Sequence, residues 1–347
     1  MATQESQLTS DAEIEEVFQK LVKVAAKQGF STWSPALKRE LLESELNRVS
    51  SITQQLRELK GASVKEASDR KRIAEEKVEL WRDLKVETFA QCVSLVWGIS
   101  LLNAFLSIQL MIVARISTLF DRSNREMKYH QVRVLLEREL ERSINHFMQS
   151  NLREISAVAT EAAEKALESL DLKRQLNYQD LLSILACISS TTEYKLSQHG
   201  WSKPLFPVVQ EQSSDTFDSD SEGERQLQNF FHSNVRKVVE GQDFEVAVSM
   251  SARCISGILM SKCEQMFMMR SEMAKNEIGN AEECEESKAA AVGAVQKVLP
   301  LAKVIPLVSS VSQQTVSDCD MIIEYEVSKL PEVIRSLADA FSVHVAA

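Results

Sequence analysis

The chain has 347 residues, and its 50 Asp and Glu outnumber its 40 Lys and Arg, giving a net charge of −10. Nine glycines and six prolines make up about 4% of it, against an average near 12%, and no two glycines lie closer than 14 positions. That scarcity of turn residues excludes an all-β fold, a dinucleotide-binding glycine loop and a P-loop, and the acidic balance argues against a nucleic-acid binder.

Residues 1–10 are polar and are expected to be disordered. From Asp11, the spacing of Ile14, Val17, Leu21 and Val24 predicts a helix ending near Gly29. Ser34-Pro35 opens a second helix, with proline in its first turn. Its apolar stripe, Leu37, Leu41, Leu42, Leu46, Val49, Ile52, Leu56 and Leu59, advances in steps of three and four up to Gly61. The dense cations Arg70-Lys71-Arg72 are followed by Glu75, Glu76 and Glu79, a pattern that fits a solvated, self-paired helix face better than a phosphate site.

Thr88 through Ala114 carries no charge, and its 27 residues are long enough to span a bilayer. Gln91, Ser94, Ser100, Asn103, Ser107 and Gln109 place polar groups on two opposed sides of that helix. A protein core can satisfy such groups locally and lipid cannot, which favours a buried central helix over a membrane span. Residues 131–170 continue as a long helix, and the apolar pattern goes on from Leu181 to Ile188. Two prolines and then six acids without a base, from Glu211 to Glu224, mark a loop.

Helical spacing resumes from Leu227 to Met269 and runs into a methionine cluster at 266–273. Such methionines fill cores or line adaptable grooves. Pro300 and Pro306 should punctuate the segment that follows. A final helix is expected from about Val316 to Val345, with Pro331 inside it. The pattern predicts an all-α fold, an elongated bundle of long helices around a central uncharged helix. It forms a single domain over residues 11–347, with an acidic loop at about 208–226.

The six cysteines form no C-x-x-C pair and the five histidines are scattered, so neither a zinc pattern nor a disulfide framework is expected. No nucleophile elbow or phosphate cradle is present, so no catalytic residue, cofactor or metal is assigned and the protein is not expected to be an enzyme. A groove between helices is the better candidate. Lys77, Trp81, Leu84 and Thr88 share one face where the uncharged helix begins. Trp81 with Leu80 and Leu84, rimmed by Lys77 and Lys85, has the composition of an interaction hot spot. On these residues alone Trp81 stands open between a core residue and a partner anchor.

LWRDLK (80–85), opening a long uncharged helix that ends SIQLMIV, resembles the peroxisomal biogenesis factor 3 (peroxin-3) family. SKPL (202–205), QDF (242–244), LPLAKVIP (299–306) and LPEV (330–333) follow in the family's order. The resemblance implies a docking receptor at the cytosolic face of the peroxisomal membrane. It would be a monomeric helical domain that binds the N-terminal amphipathic helix of peroxisomal biogenesis factor 19, the soluble carrier of peroxisomal membrane proteins. By that resemblance the partner-binding residues are Lys77, Trp81 and Leu84. Family members begin with a basic segment and a membrane anchor, neither of which precedes Asp11 here, so membrane residence is an expectation from the family alone. The basic residue that precedes the helix-end V-Q in relatives is Ser107. A helical tether or scaffold without a groove is the alternative.

Overall fold

A computed structural model describes residues 35, 39, 46–61, 67–121, 126–199, 222–279 and 298–341. In chain order these form α1 (Leu46–Gly61), α2 (Ala67–Asp121), α3 (Glu126–His146), a π-helical turn (Phe147–Asn151) and α4 (Leu152–Leu167). After β1 (Gln175–Asn177) come α5 (Tyr178–His199), α6 (Glu222–Val239) and α7 (Gln242–Gly279). The chain closes with β2 (Val298–Pro300), α8 (Leu301–Ser317), α9 (Cys319–Tyr325), a 3-10 turn (Val327–Lys329) and α10 (Pro331–Phe341). The fold is an all-α bundle. The expected helix at 11–29 and the disordered terminus at 1–10 lie outside the described residues, as does most of the acidic loop. The last positions assigned to that loop, from Glu222, are helical and open α6.

The 55 residues of α2 make a rod about 82 Å long, which α1, α4, α7, α8 and α10 pack against. Its first part is largely solvated, and from Leu84 onwards it enters the body of the molecule. Phe89, Leu95, Trp97, Leu102 and Phe105 are all but inaccessible to water, each such burial stabilising by about 1.5–3 kcal/mol. Both α2 and α7 contain stretches long and apolar enough to cross a bilayer, and the one in α2 is 89% buried within the protein. Residues 88–109 are all buried, as the polar spacing predicts.

The polar groups of this helix are handled unevenly. Ser94 donates to the Ala90 carbonyl at 2.8 Å and Ser100 to that of Val96 at 2.7 Å, bonds back onto the preceding turn. Trp97 Nε1 donates to Ser189 Oγ at 3.3 Å. Thr88 Oγ1 and the side-chain amides of Gln91 and Gln109 are buried without a partner among the described residues.

Gly98 sets the spacing of α2 and α4. A Cβ there would sit 2.8 Å from Leu152 Cδ2, so the start of α4 rests against bare backbone. The long helix expected over 131–170 is realised as α3, the π turn and α4, and it stops at Leu167. The turn that follows uses neither glycine nor proline. Asp171 Oδ1 accepts from the Lys173 N–H at 2.7 Å, an Asx turn. The chain then pairs Leu176 with Leu299 in a short antiparallel ribbon of β1 and β2, two strands that helical periodicity does not reveal.

Two helices start from this ribbon. At α5, Asn177 Oδ1 accepts from the Asp180 N–H at 2.8 Å, while Asp180 Oδ2 accepts from the Asn177 N–H at 2.9 Å, a reciprocal capping box. At α8, the first N–H groups bypass side-chain caps. Leu301 donates to the Arg174 carbonyl at 2.9 Å and Ala302 to that of Leu172 at 3.0 Å.

The single final helix expected over Val316–Val345 is not formed. The chain breaks at Asp318 and again around Val327–Leu330, and Pro331 opens α10 rather than lying within a helix. The reason is steric. Proline lacks the donor that a helix interior needs but suits a first turn, and the residue before it avoids helical angles. Leu330 accordingly has ψ 128°.

Candidate functional site

A cleft of about 390 Å³ opens where α2 enters the body of the bundle, with α1 and α8 as its other walls. Its apolar floor comprises Val49 of α1, Trp81 and Leu84 of α2, and Ile305 and Pro306 of α8. Hydroxyl and amide groups, including Thr53, Ser309 and Gln313, line its sides, and Arg57 is the one charged side chain in the lining.

Each wall has a local cause. α1 turns Val49 inward, to 6% exposure, and an Arg48 Nη1–Glu87 Oε1 ion pair at 3.3 Å ties it to α2. α8 is fixed at its start by the Leu172 and Arg174 carbonyls and at its end by Lys262 Nζ on Asp318 Oδ2 at 2.6 Å. Within α8, Pro306 contributes a flat apolar surface and leaves the Ala302 carbonyl without its partner one turn on.

Leu84 is 5% exposed, forming the bottom of the cleft. Trp81 is half-buried and packs against the core by one side. No hydrogen bond to it exists among the described residues, whereas Trp97, sixteen positions later on the same helix, is 2% exposed and bonded to Ser189. Of the two, Trp81 is the one with indole surface and an N–H donor available to something else. Lys77 is partly exposed one turn earlier and lies outside the lining. The face that joins Lys77, Trp81, Leu84 and Thr88 runs from solvent through the cleft into the core, where Thr88 is fully buried.

Lys85 is not part of a basic rim. It points the other way and is 6% exposed. Its Nζ donates to the carbonyls of Leu167 and Leu170, both at 2.8 Å. Leu167 ends α4 and Leu170 lies in the turn after it, where helix carbonyls have acceptor capacity to spare and the helix dipole favours a cation. Burial, reinforced by the Arg82 charge, pulls the Lys85 pKa below the usual lysine range, with Asp171 opposing.

The sequence pattern does not reveal Arg57, Thr53 or the α8 wall as site residues. The inward stripe of α1 is legible, but its partner helix is not. Ile305 and Pro306 lie in the LPLAKVIP string without any sign that they face Trp81.

Residues 1–131 match the family model described as Peroxin-3. The matched span contains α1, α2 and the opening of α3, and so two of the three helices around the cleft. No curated protein matches the chain.

Proposed function

We propose, from the match of residues 1–131 to the Peroxin-3 family model, that this protein is a docking receptor of that family, which takes an amphipathic helix into the Trp81 cleft. That match supports a role in peroxisome biogenesis and in the insertion of peroxisomal membrane proteins. The finer reading names the partner as peroxisomal biogenesis factor 19 and the place as the cytosolic face of the peroxisomal membrane. The receptor has no catalytic role in this reading.

The observation that carries it is the contrast within α2. A tryptophan at the mouth of a preformed apolar cleft has no hydrogen-bond partner among the described residues, while the next tryptophan is consumed by the core. Helix-in-groove recognition needs such a slot, open to apolar anchors spaced at one or two helical turns, with a polar wall to fix orientation. Trp81 and Leu84 would receive the anchors, and Lys77, just beyond the lining, would meet the end of the bound helix.

The test is a calorimetric titration of the full chain with the carrier's N-terminal peptide, alongside light scattering of the free protein. The receptor reading expects a monomer and a saturable one-to-one complex. A chain that self-associates and gives no heat with the peptide is a scaffold instead.

A further inference from the structure

Among the described residues a second cleft also flanks α1, and its charge differs from that of the Trp81 cleft. This larger cleft, of about 880 Å³, lies on the other side of α1, between α2 and α4. Glu79, Asp83 and Glu87 of α2 line it at intervals of one helical turn, and Glu164 of α4 and Glu168 just after that helix contribute two more carboxylates. Its five carboxylates outnumber its three cations, of which Lys85 is spent on the Leu167 and Leu170 carbonyls, Arg48 is paired with Glu87, and the exposed Arg82 makes no ion pair among the described residues. The Trp81 cleft has no carboxylate in its lining, and its single charge, Arg57, makes no ion pair or hydrogen bond among the described residues. This free cation stands in a chain whose net charge is −10.

We propose that the helix received by the Trp81 cleft is acidic. It brings a carboxylate to Arg57, and the acidic cleft on the other side of α1 repels it, so that charge directs the ligand to the correct side of α1. The proposal rests on the docking reading above and adds the charge that the partner must carry. Its physical basis is that complementary charge at an interface governs the rate of encounter and the rejection of wrong sites more than it governs total affinity. Coulomb steering by an exposed group fades as salt shortens the screening length.

The experiment uses three synthetic amphipathic helices that share one Leu/Phe stripe and carry Glu, Gln or Lys on the flank. Each is titrated into the wild-type protein, Arg57→Glu and Trp81→Ala at low and high salt. Arg57 is exposed, so Arg57→Glu should keep the wild-type circular dichroism melt. The wild type should bind the Glu peptide about fivefold or more tightly than the Lys peptide at low salt, and Arg57→Glu should reverse that order. Both differences should shrink at 0.5 M salt, roughly to the noise of the method. Equal binding of all three peptides, lost in Trp81→Ala, would overturn the charge proposal and leave the docking reading standing. A wild-type preference for the Lys peptide that survives Arg57→Glu would mean that the acidic cleft is the one occupied. No binding of any peptide to the folded protein would overturn both.

Discussion

Lys85 and Trp81 sit four positions apart on one helix and have opposite fates. A buried ammonium is tolerated because the carbonyls of Leu167 and Leu170, at and just past the end of α4, accept from it. Replacing Lys85 by Met removes the charge and strands the Leu170 carbonyl, while that of Leu167 keeps only the Leu170 N–H, at 3.0 Å. Lys85→Met should therefore lower stability by about 1–3 kcal/mol in a urea melt. An unchanged midpoint would mean that water replaces the ammonium at no cost. The sequence shows that Lys85 is a cation beside a tryptophan. It does not show that the end of α4, more than 80 positions away, supplies the acceptors, and so a rim is expected where a staple exists.

At the scale of elements, legibility follows how local the cause is. The inward stripe of α1 and the uncharged core of α2 follow from spacing within one stretch of chain, whereas α6 starts at Glu222, inside the segment read as an acidic loop. The β1–β2 ribbon depends on a pairing distant in sequence, and the turn that leads to it on an Asx turn where glycine and proline are absent. Two of the helical glycines make the same point in measurable form. Gly98 is pressed against Leu152, while nothing lies within 4 Å of a Cβ built on Gly257 of α7. Gly257→Ala should stabilise the protein by about 0.5–1 kcal/mol, through helix propensity and a less flexible unfolded chain. Gly98→Val should destabilise it by about 1–3 kcal/mol through overpacking. Thermal melts of the two variants that shifted in the same direction would contradict this account of α2–α4 packing.

At the scale of the whole molecule, charge pairs hold distant helices together and give the fold an acid limit. Glu139 of α3 is 3% exposed. His232 Nε2 of α6 lies 2.8 Å from its Oε2, Gln228 Nε2 donates to its Oε1 at 2.8 Å, and Arg142 is 3.5 Å away. Burial raises the Glu139 pKa, but the His232 contact, the Arg142 charge and the Gln228 bond outweigh it, leaving the carboxyl below its ordinary 4.5. The unfolded chain thus binds the proton more readily than the folded one. The stabilisation is present above the unfolded value and is lost as pH falls through the folded one. Glu161, held by Lys165 and Lys195 down to about 2, acts with the same sign, but it is exposed and therefore screened by salt. Urea midpoints measured from pH 5 to pH 3 in 0.5 M salt should fall in the wild type and fall less steeply in Glu139→Gln. Parallel slopes would show that the α3–α6 contact does not carry the acid sensitivity.

The central claim is that α2 commits Trp97 to the core and keeps Trp81 for a partner, and one paired measurement tests it most directly. Trp81→Ala and Trp97→Ala are each melted in urea and titrated with the carrier's N-terminal peptide. Trp81→Ala should lose about 2–4 kcal/mol of binding, roughly 30- to 1000-fold in affinity, while its melt moves little. Trp97→Ala should lose about 3–5 kcal/mol of stability and, wherever it remains folded, bind the peptide as the wild type does. A Trp81→Ala protein that unfolds far earlier yet binds normally once folded would contradict the account and return Trp81 to the core.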